Sequence, residues 1–241
     1  MAENKIIYYG KILIDLTGDT VTPETLTKGV TAHDASGSVI VGTNDGSDFV
    51  ADVLNGTATE IINDKVEKIP QGFQENSQYL VKVSLPKLLI IAPNGFNACS
   101  KLAEANFPKV HTIQSAAFNS TALQKAYFPE VTTFNGWGYT FYGCRQLTKV
   151  YFPKLASNVQ DADFNNCRAL ETLILGGDTF CALTASNVFN QTPMAGYNGK
   201  TGYIYVKKAL IDNYKAATNW SVYASKFRAI EDYPEVLEGW T

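Results

Sequence analysis

Histidine and cysteine are scarce in this chain, two and four among 241 residues. That scarcity removes most zinc sites and most Cys/His nucleophile arrangements before any motif is sought. There is no Gly-x-Ser-x-Gly, no Gly-x-x-x-x-Gly-Lys-Ser/Thr, no Gly-x-Gly-x-x-Gly and no Cys-x-x-Cys. No apolar run approaches the roughly 18 residues of a membrane helix. Basic charge is not concentrated either. Lys plus Arg is 20 against 23 Asp plus Glu, a net charge of −3. A strong electrostatic grip on nucleic acid or anionic lipid is therefore not expected. The opening residues lack a basic flank, an apolar stretch and a small-residue cleavage site, which predicts folding in the cytoplasm. What is present is core material. The chain is 45% hydrophobic and 12% aromatic, so extended disorder is excluded.

That material is periodic. An apolar residue followed by proline recurs at Leu85-Pro86, Phe107-Pro108, Phe128-Pro129 and Phe152-Pro153, with gaps of 22, 21 and 24 residues. A second phenylalanine recurs at Phe73, Phe96, Phe118, Phe141 and Phe164, and a leucine follows at Leu80, Leu102, Leu123, Leu147 and Leu170. Cys99, Cys144 and Cys167 share one position, with Asn76 and Thr121 near it in the other units. Each unit holds a short alternating segment, such as 102–107 or 147–152, which reads as a strand. Proline ends that strand because it cannot donate to a ladder. A single coil cannot bury its Phe and Leu, whereas stacked coils can. The cysteines follow the repeat spacing. They are expected to fill small buried slots and to donate to backbone carbonyls, not to chelate a metal or cross-link.

These features resemble the BspA-like leucine-rich repeats, with their FP…I…AF..C..L consensus. The closest stretches are 89–110, 111–131 and 132–155, where Ala116-Ala117-Phe118 and Phe141-Tyr142-Gly143-Cys144-Arg145-Gln146-Leu147 stand nearly as the family writes them. The unit at 156–177 departs from the pattern after Cys167, with Ile174-Leu175-Gly176-Gly177 in place of Phe-Pro. The expected fold is an α+β repeat protein, a right-handed leucine-rich-repeat solenoid with a small β-rich N-terminal module and a helical C-terminal cap. The predicted divisions are 1–46 for the module, 47–65 for a linker and solenoid cap, 66–206 for the repeats and 207–241 for the C-terminal cap and tail. Within the module, Ile12 and Ile14 alternate like a strand, 22–26 reads as a capped helical turn, and 31–33 with 39–41 flank a hairpin turn. In the cap, Leu210, Tyr214, Trp220, Tyr223 and Phe227 are expected to cover the last coil. Residues 233–241 are left as a tail or a contact with another chain.

The module resembles short segments near the N-termini of phage tail and other virion proteins. That resemblance implies a non-enzymatic phage or prophage virion protein, a tail-fibre or receptor-binding component assembled in the host cytoplasm and located on the virion. Its implied partners are other virion proteins and a bacterial surface receptor, glycan or protein. A homo-oligomer is expected, with a trimer as its form, and neither nucleic acid binding nor membrane insertion. The alternative is an adhesin or interaction scaffold on the bacterial surface. No catalytic, metal or cofactor-binding residue is predicted. His33 and His111 read as edge residues, and Asp161, Asp163 and Asp178 as a solvated coil edge. The candidate receptor-binding residues are Trp137, Tyr139 and Tyr142. They lie in or beside a Gly136–Tyr139 insertion, and flat aromatic faces on an irregular loop suit contact with a glycan or a protein. A weaker candidate of the same kind is the loop at 190–202.

Overall fold

The computed structural model describes residues 55–240, with Val53, and the backbone of four strands in the first 41 residues. The chain divides into two compact units, 1–55 and 56–241. In the first, β1 (Lys5–Tyr8) pairs antiparallel with β2 (Lys11–Asp15), and β3 (Thr31–His33) with β4 (Val39–Val41). β3 and β4 coincide with the two segments expected to flank a turn, and β2 holds Ile12 and Ile14, while the turn itself lies outside the described residues. The helical turn expected at 22–26 and the side chain of His33 lie outside the described residues.

The second unit is a stack of coils, each contributing a short parallel strand. β5 (Glu60–Ile62), β6 (Lys82–Ser84) and β8 (Glu104–Asn106) form one run. β10 (Lys125–Tyr127), β12 (Lys149–Phe152), β13 (Thr172–Leu175), β14 (Tyr203–Val206) and β15 (Phe227–Ala229) form the next. β8 and β10 are in contact, so the second run continues the first. A smaller parallel sheet joins β7 (Ile90–Ile91), β9 (Thr112–Gln114) and β11 (Thr133–Asn135). The first coil already has its strand at 60–62, within the segment expected to be linker and cap.

The core is built from the repeating residues. Phe96, Phe118, Phe141, Phe164 and Phe189 stack in one column, with successive ring centroids 5.4–5.7 Å apart. Phe107, Phe128 and Phe152 form a second column beside it. Leu80, Leu102, Leu123, Leu147 and Leu170 are all buried. The thiols of Cys99, Cys144 and Cys167 each donate to a carbonyl of the preceding coil, Gln74, Phe118 and Phe141, at 3.0 Å. In the first unit of this row the position belongs to Ser77, which donates to the Gly56 carbonyl, and not to Asn76. Cys181, outside the row, donates to the Leu155 carbonyl at 3.4 Å. The Gly176-Gly177 departure has a packing cause. A Cβ on Gly177 would stand 2.3 Å from the Leu155 carbonyl oxygen.

The C-terminal region is less helical than expected. Its one α-helix among the described residues, α1 (Ile211–Ala216), is six residues long, and the rest is 3-10 turns around β15. β15 extends the parallel sheet instead of closing it with a helix. Tyr214, Trp220, Tyr223 and Phe227 are buried over the last coil, while Leu210 is only half-buried. Trp220 closes the phenylalanine column, 5.7 Å from Phe189, and its indole donates to the Cys181 carbonyl at 2.7 Å.

Candidate recognition site

The strand register locates the insertion more narrowly than the sequence does. Asn135 pairs with Gln114, and the Ala116 amide donates to the Gly138 carbonyl. Gly138 therefore answers to Ser115, and the extra residues are Gly136 and Trp137 alone. Both flanking glycines are required. Gly136 and Gly138 have φ of 122° and 101°, and a Cβ would fall 1.9 Å from Ser115 Oγ or 2.0 Å from the Asp161 carbonyl oxygen. Ser115 Oγ accepts the Trp137 amide at 2.8 Å, which fixes the loop's base. The Trp137 side chain is left 66% exposed, with no ring partner among the described residues.

Tyr139 and Tyr142 belong to the coil proper, each at an atypical position. Backbone bonds align Gly72, Asn94, Ala116, Tyr139 and Ala162, all with φ between 50° and 66°. A bulky aromatic in the left-handed region is uncommon and marks a site worth attention. Tyr142 stands where Asn97, Asn119, Asn165 and Asn190 stand in neighbouring coils. The two tyrosine rings meet at 5.4 Å, tilted by 47°. Trp137 has no ring contact with either. The structure thus presents a tyrosine pair on the coil and a separate, exposed indole on the two-residue insertion beside it.

Asp163 holds this turn from behind. Its carboxylate accepts the Thr140 amide at 3.0 Å and the Gln160 amide at 2.7 Å. It is fully buried, so the expectation of a solvated edge fails for it. Burial pushes its carboxyl up to about 6, against the opposing pull of the Thr140 and Gln160 bonds. Asp161 supplies its carbonyl to the Tyr139 amide at 2.9 Å. Asp178 is exposed and paired with Lys207. His111 is exposed, its ring 2.9 Å from Thr112 Oγ1. Among the described residues, no group of three or more His, Cys, Asp or Glu side chains is placed to hold a metal.

Next to Tyr142 lies an open polar notch of about 360 Å³, walled chiefly by Ser120, Thr121, Tyr142, Arg145 and Asn166. Its origin is in the sequence. Thr121-Ala122-Leu123 is one residue shorter than Cys99-Ser100-Lys101-Leu102 and Cys144-Arg145-Gln146-Leu147 around it. The missing residue leaves a hollow between neighbouring coils. Sequence reasoning did not single out Arg145 or Asn166. The 21-residue gap between Phe107 and Phe128 was the signal that would have pointed there. The weaker candidate at 190–202 folds as two tight 3-10 turns, with Tyr197 beneath the Arg168 guanidinium at 5.3 Å.

The family described as "BspA type Leucine rich repeat region" matches residues 57–138 and 137–195, in six copies. No curated protein matches the chain. Among solved structures, a leucine-rich repeat protein from Bacteroides ovatus is 21% identical, with a TM-score of 0.46 over 64% of this chain and 40% of that one. The pneumococcal vaccine antigen PcpA is 14% identical, with a TM-score of 0.49 over 83% and 46%. The leucine-rich repeat protein of T. pallidum is 21% identical, with a TM-score of 0.38 over 62% and 81%. The chain thus spans less than half the length of the first two.

Proposed function

The chain belongs to the BspA type leucine-rich repeat family, and from that premise we propose that it is a non-enzymatic recognition module whose contact surface is the loop at 136–142 with the adjoining notch. The observation that carries this reading is Trp137, whose amide is pinned to Ser115 and whose side chain is left 66% exposed between two glycines that no other residue can replace. A large aromatic side chain with two rotatable bonds on a fixed backbone loses little entropy on binding. The Tyr139–Tyr142 pair offers a second flat face. Arg145, Asn166, Ser120 and Thr121 beside it supply the donors and acceptors that hydroxyl-rich or peptide ligands need. The ligand class is a glycan or protein on a bacterial surface.

The finer role is a place on a phage or prophage virion, as a tail-fibre or receptor-binding component attached through residues 1–46. It rests on the likeness of that segment to virion modules and on nothing in the solenoid. A homo-oligomer formed through the same segment belongs to it. Immunogold labelling of purified particles tests the location, and unlabelled particles beside a labelled cell envelope would favour the adhesin reading. Cell-binding assays across a bacterial panel test the surface. Trp137→Ala is expected to weaken binding by about 2 kcal/mol or more with little change in melting, as hot-spot aromatics do. Undiminished cell binding by this variant would remove the loop from the recognition surface.

A further inference from the structure

The outward face of the main sheet carries a second aromatic surface, separate from the loop. In strand register, Tyr127, Tyr151, Ile174 and Tyr205 stand side by side on β10, β12, β13 and β14. Outward positions of a sheet are usually polar, and a continuous apolar row is normally covered or used. Here the chain's own residues 233–240 lie on it. The Trp240 ring is 5.9 Å from Tyr127 and 5.7 Å from Tyr151. Tyr233 meets Tyr205 edge-on at 6.0 Å, and Val236 and Trp240 bury Ile174 completely. The tail expected to be free or to touch another chain is therefore seated on its own sheet.

The way it is seated differs from core packing. The segment's hydrogen bonds run to its own root or within it: Tyr233 amide to Ile230 carbonyl, Val236 amide to Tyr233 carbonyl, Glu238 amide to Glu235 carbonyl, and the Trp240 indole to the Val236 carbonyl at 3.0 Å. Among the described residues, no hydrogen bond or ion pair joins 233–240 to the strands beneath. Its polar anchorage ends at the root, where Glu231 accepts the Lys208 amide and Asp232 pairs with the Lys208 ammonium at 2.8 Å. Lifting the segment would break apolar contacts only and orphan no buried polar group. The segment is acidic, with Glu235 and Glu238 following Glu231 and Asp232. The face it covers carries Lys125 and Lys149, two residues before Tyr127 and Tyr151 on the same strands.

We infer that this row is a binding slot for an acidic, tryptophan-bearing peptide segment of a partner protein, and that residues 233–240 fill it as a tethered occupant which such a partner displaces. A tethered segment competes at an effective concentration of about millimolar, so a partner present at about micromolar must bind the row about a thousandfold more tightly than the free segment does.

The test uses the full chain and a fluorescent synthetic peptide of residues 231–240. Trp240→Ala empties the aromatic end of the slot. The peptide is expected to bind this variant at least tenfold more tightly than the parent, and adding Tyr151→Ala is expected to abolish that binding. A second measurement needs no variant. In the parent chain labelled with 5-fluorotryptophan, excess unlabelled peptide is expected to shift the Trp240 fluorine signal and to leave those of Trp137 and Trp220 in place. A folded Trp240→Ala chain that does not bind the peptide overturns the inference. If that variant does not fold, an unmoved Trp240 signal in the parent does so. A dimer of the parent that Trp240→Ala dissolves also overturns it, because the segment would then be exchanged between copies. Retained peptide binding alongside an inert Trp137 would leave the slot standing and the loop reading refuted.

Discussion

Phe118 is an interior member of the longest aromatic column, fully buried, 5.6 Å from Phe96 and 5.4 Å from Phe141. Its neighbours are held by their own coils and cannot collapse into the space it fills. Phe118→Ala is therefore expected to cost about 3–5 kcal/mol in chemical denaturation. Asp163 shows the opposite use of burial. Its carboxyl is raised in the folded state to about 6 from an ordinary 3.8. The folded chain thus holds a proton that the unfolded chain releases between these values. The stabilisation is fully present below about pH 4 and is lost as pH rises through 6. The displacement corresponds to about 3 kcal/mol. Urea unfolding at pH 4, 5, 6 and 7 should show this decline, and Asp163→Asn should remove it. A parent stability that rises steadily from pH 4 to 6, unaltered in the variant, would contradict the assignment.

At the scale of elements, the single missing residue after Thr121 has effects on two sides of the solenoid. On the turn side it opens the polar notch. On the main sheet, no backbone hydrogen bond links β8 to β10, and a hollow of about 380 Å³ lined by Ala103, Glu104, Ala105, Gln124 and Lys125 lies between them. The smaller sheet crosses this level unbroken through β9 and β11. The repeating Phe, Leu and Cys positions were legible in sequence because each is fixed by what the next coil offers it. Trp137 was legible as an excursion because its unit is too long. The seam was not, since a deletion of one residue leaves the hydrophobic pattern intact and shows only in the ladder. The segment 233–240 over the sheet was hidden for a different reason. Tyr127, Tyr151 and Tyr205 alternate correctly for a solvated face, and nothing local says that Trp240 returns to cover them. The buried Asp163 was misread because a carboxylate among polar neighbours looks solvated until both its oxygens are seen capping amides of two coils.

Across the whole molecule, the division at residue 55 separates a small β-rich unit from a solenoid that carries its own core. A chain starting at Gly46 is expected to keep the parent's circular dichroism and melting, because the columns of Phe and Leu lie entirely beyond residue 56. Under the virion reading it should also fail to join particles. Light scattering should then show the parent as an oligomer and the shortened chain as a monomer. Normal particle incorporation of the shortened chain would end the case for an attachment role of the N-terminal unit.

The four free thiols give the solenoid a built-in gauge of its own opening. Each is buried in a different coil and donates to a carbonyl in another. Burial pushes Cys99 up to about 12 and raises Cys181 as well, and all four sulfurs are shut off from solvent, so a reagent reaches none of them while its coil is closed. Cys99 lies on one side of the seam, and Cys144, Cys167 and Cys181 on the other. A pulse of alkylating reagent under mild denaturant, read by mass spectrometry, then reports which stretch of the stack has come apart. Early modification of Cys99 with the other three still protected is the pattern a seam produces. Simultaneous modification of all four would mean that the stack opens as one body.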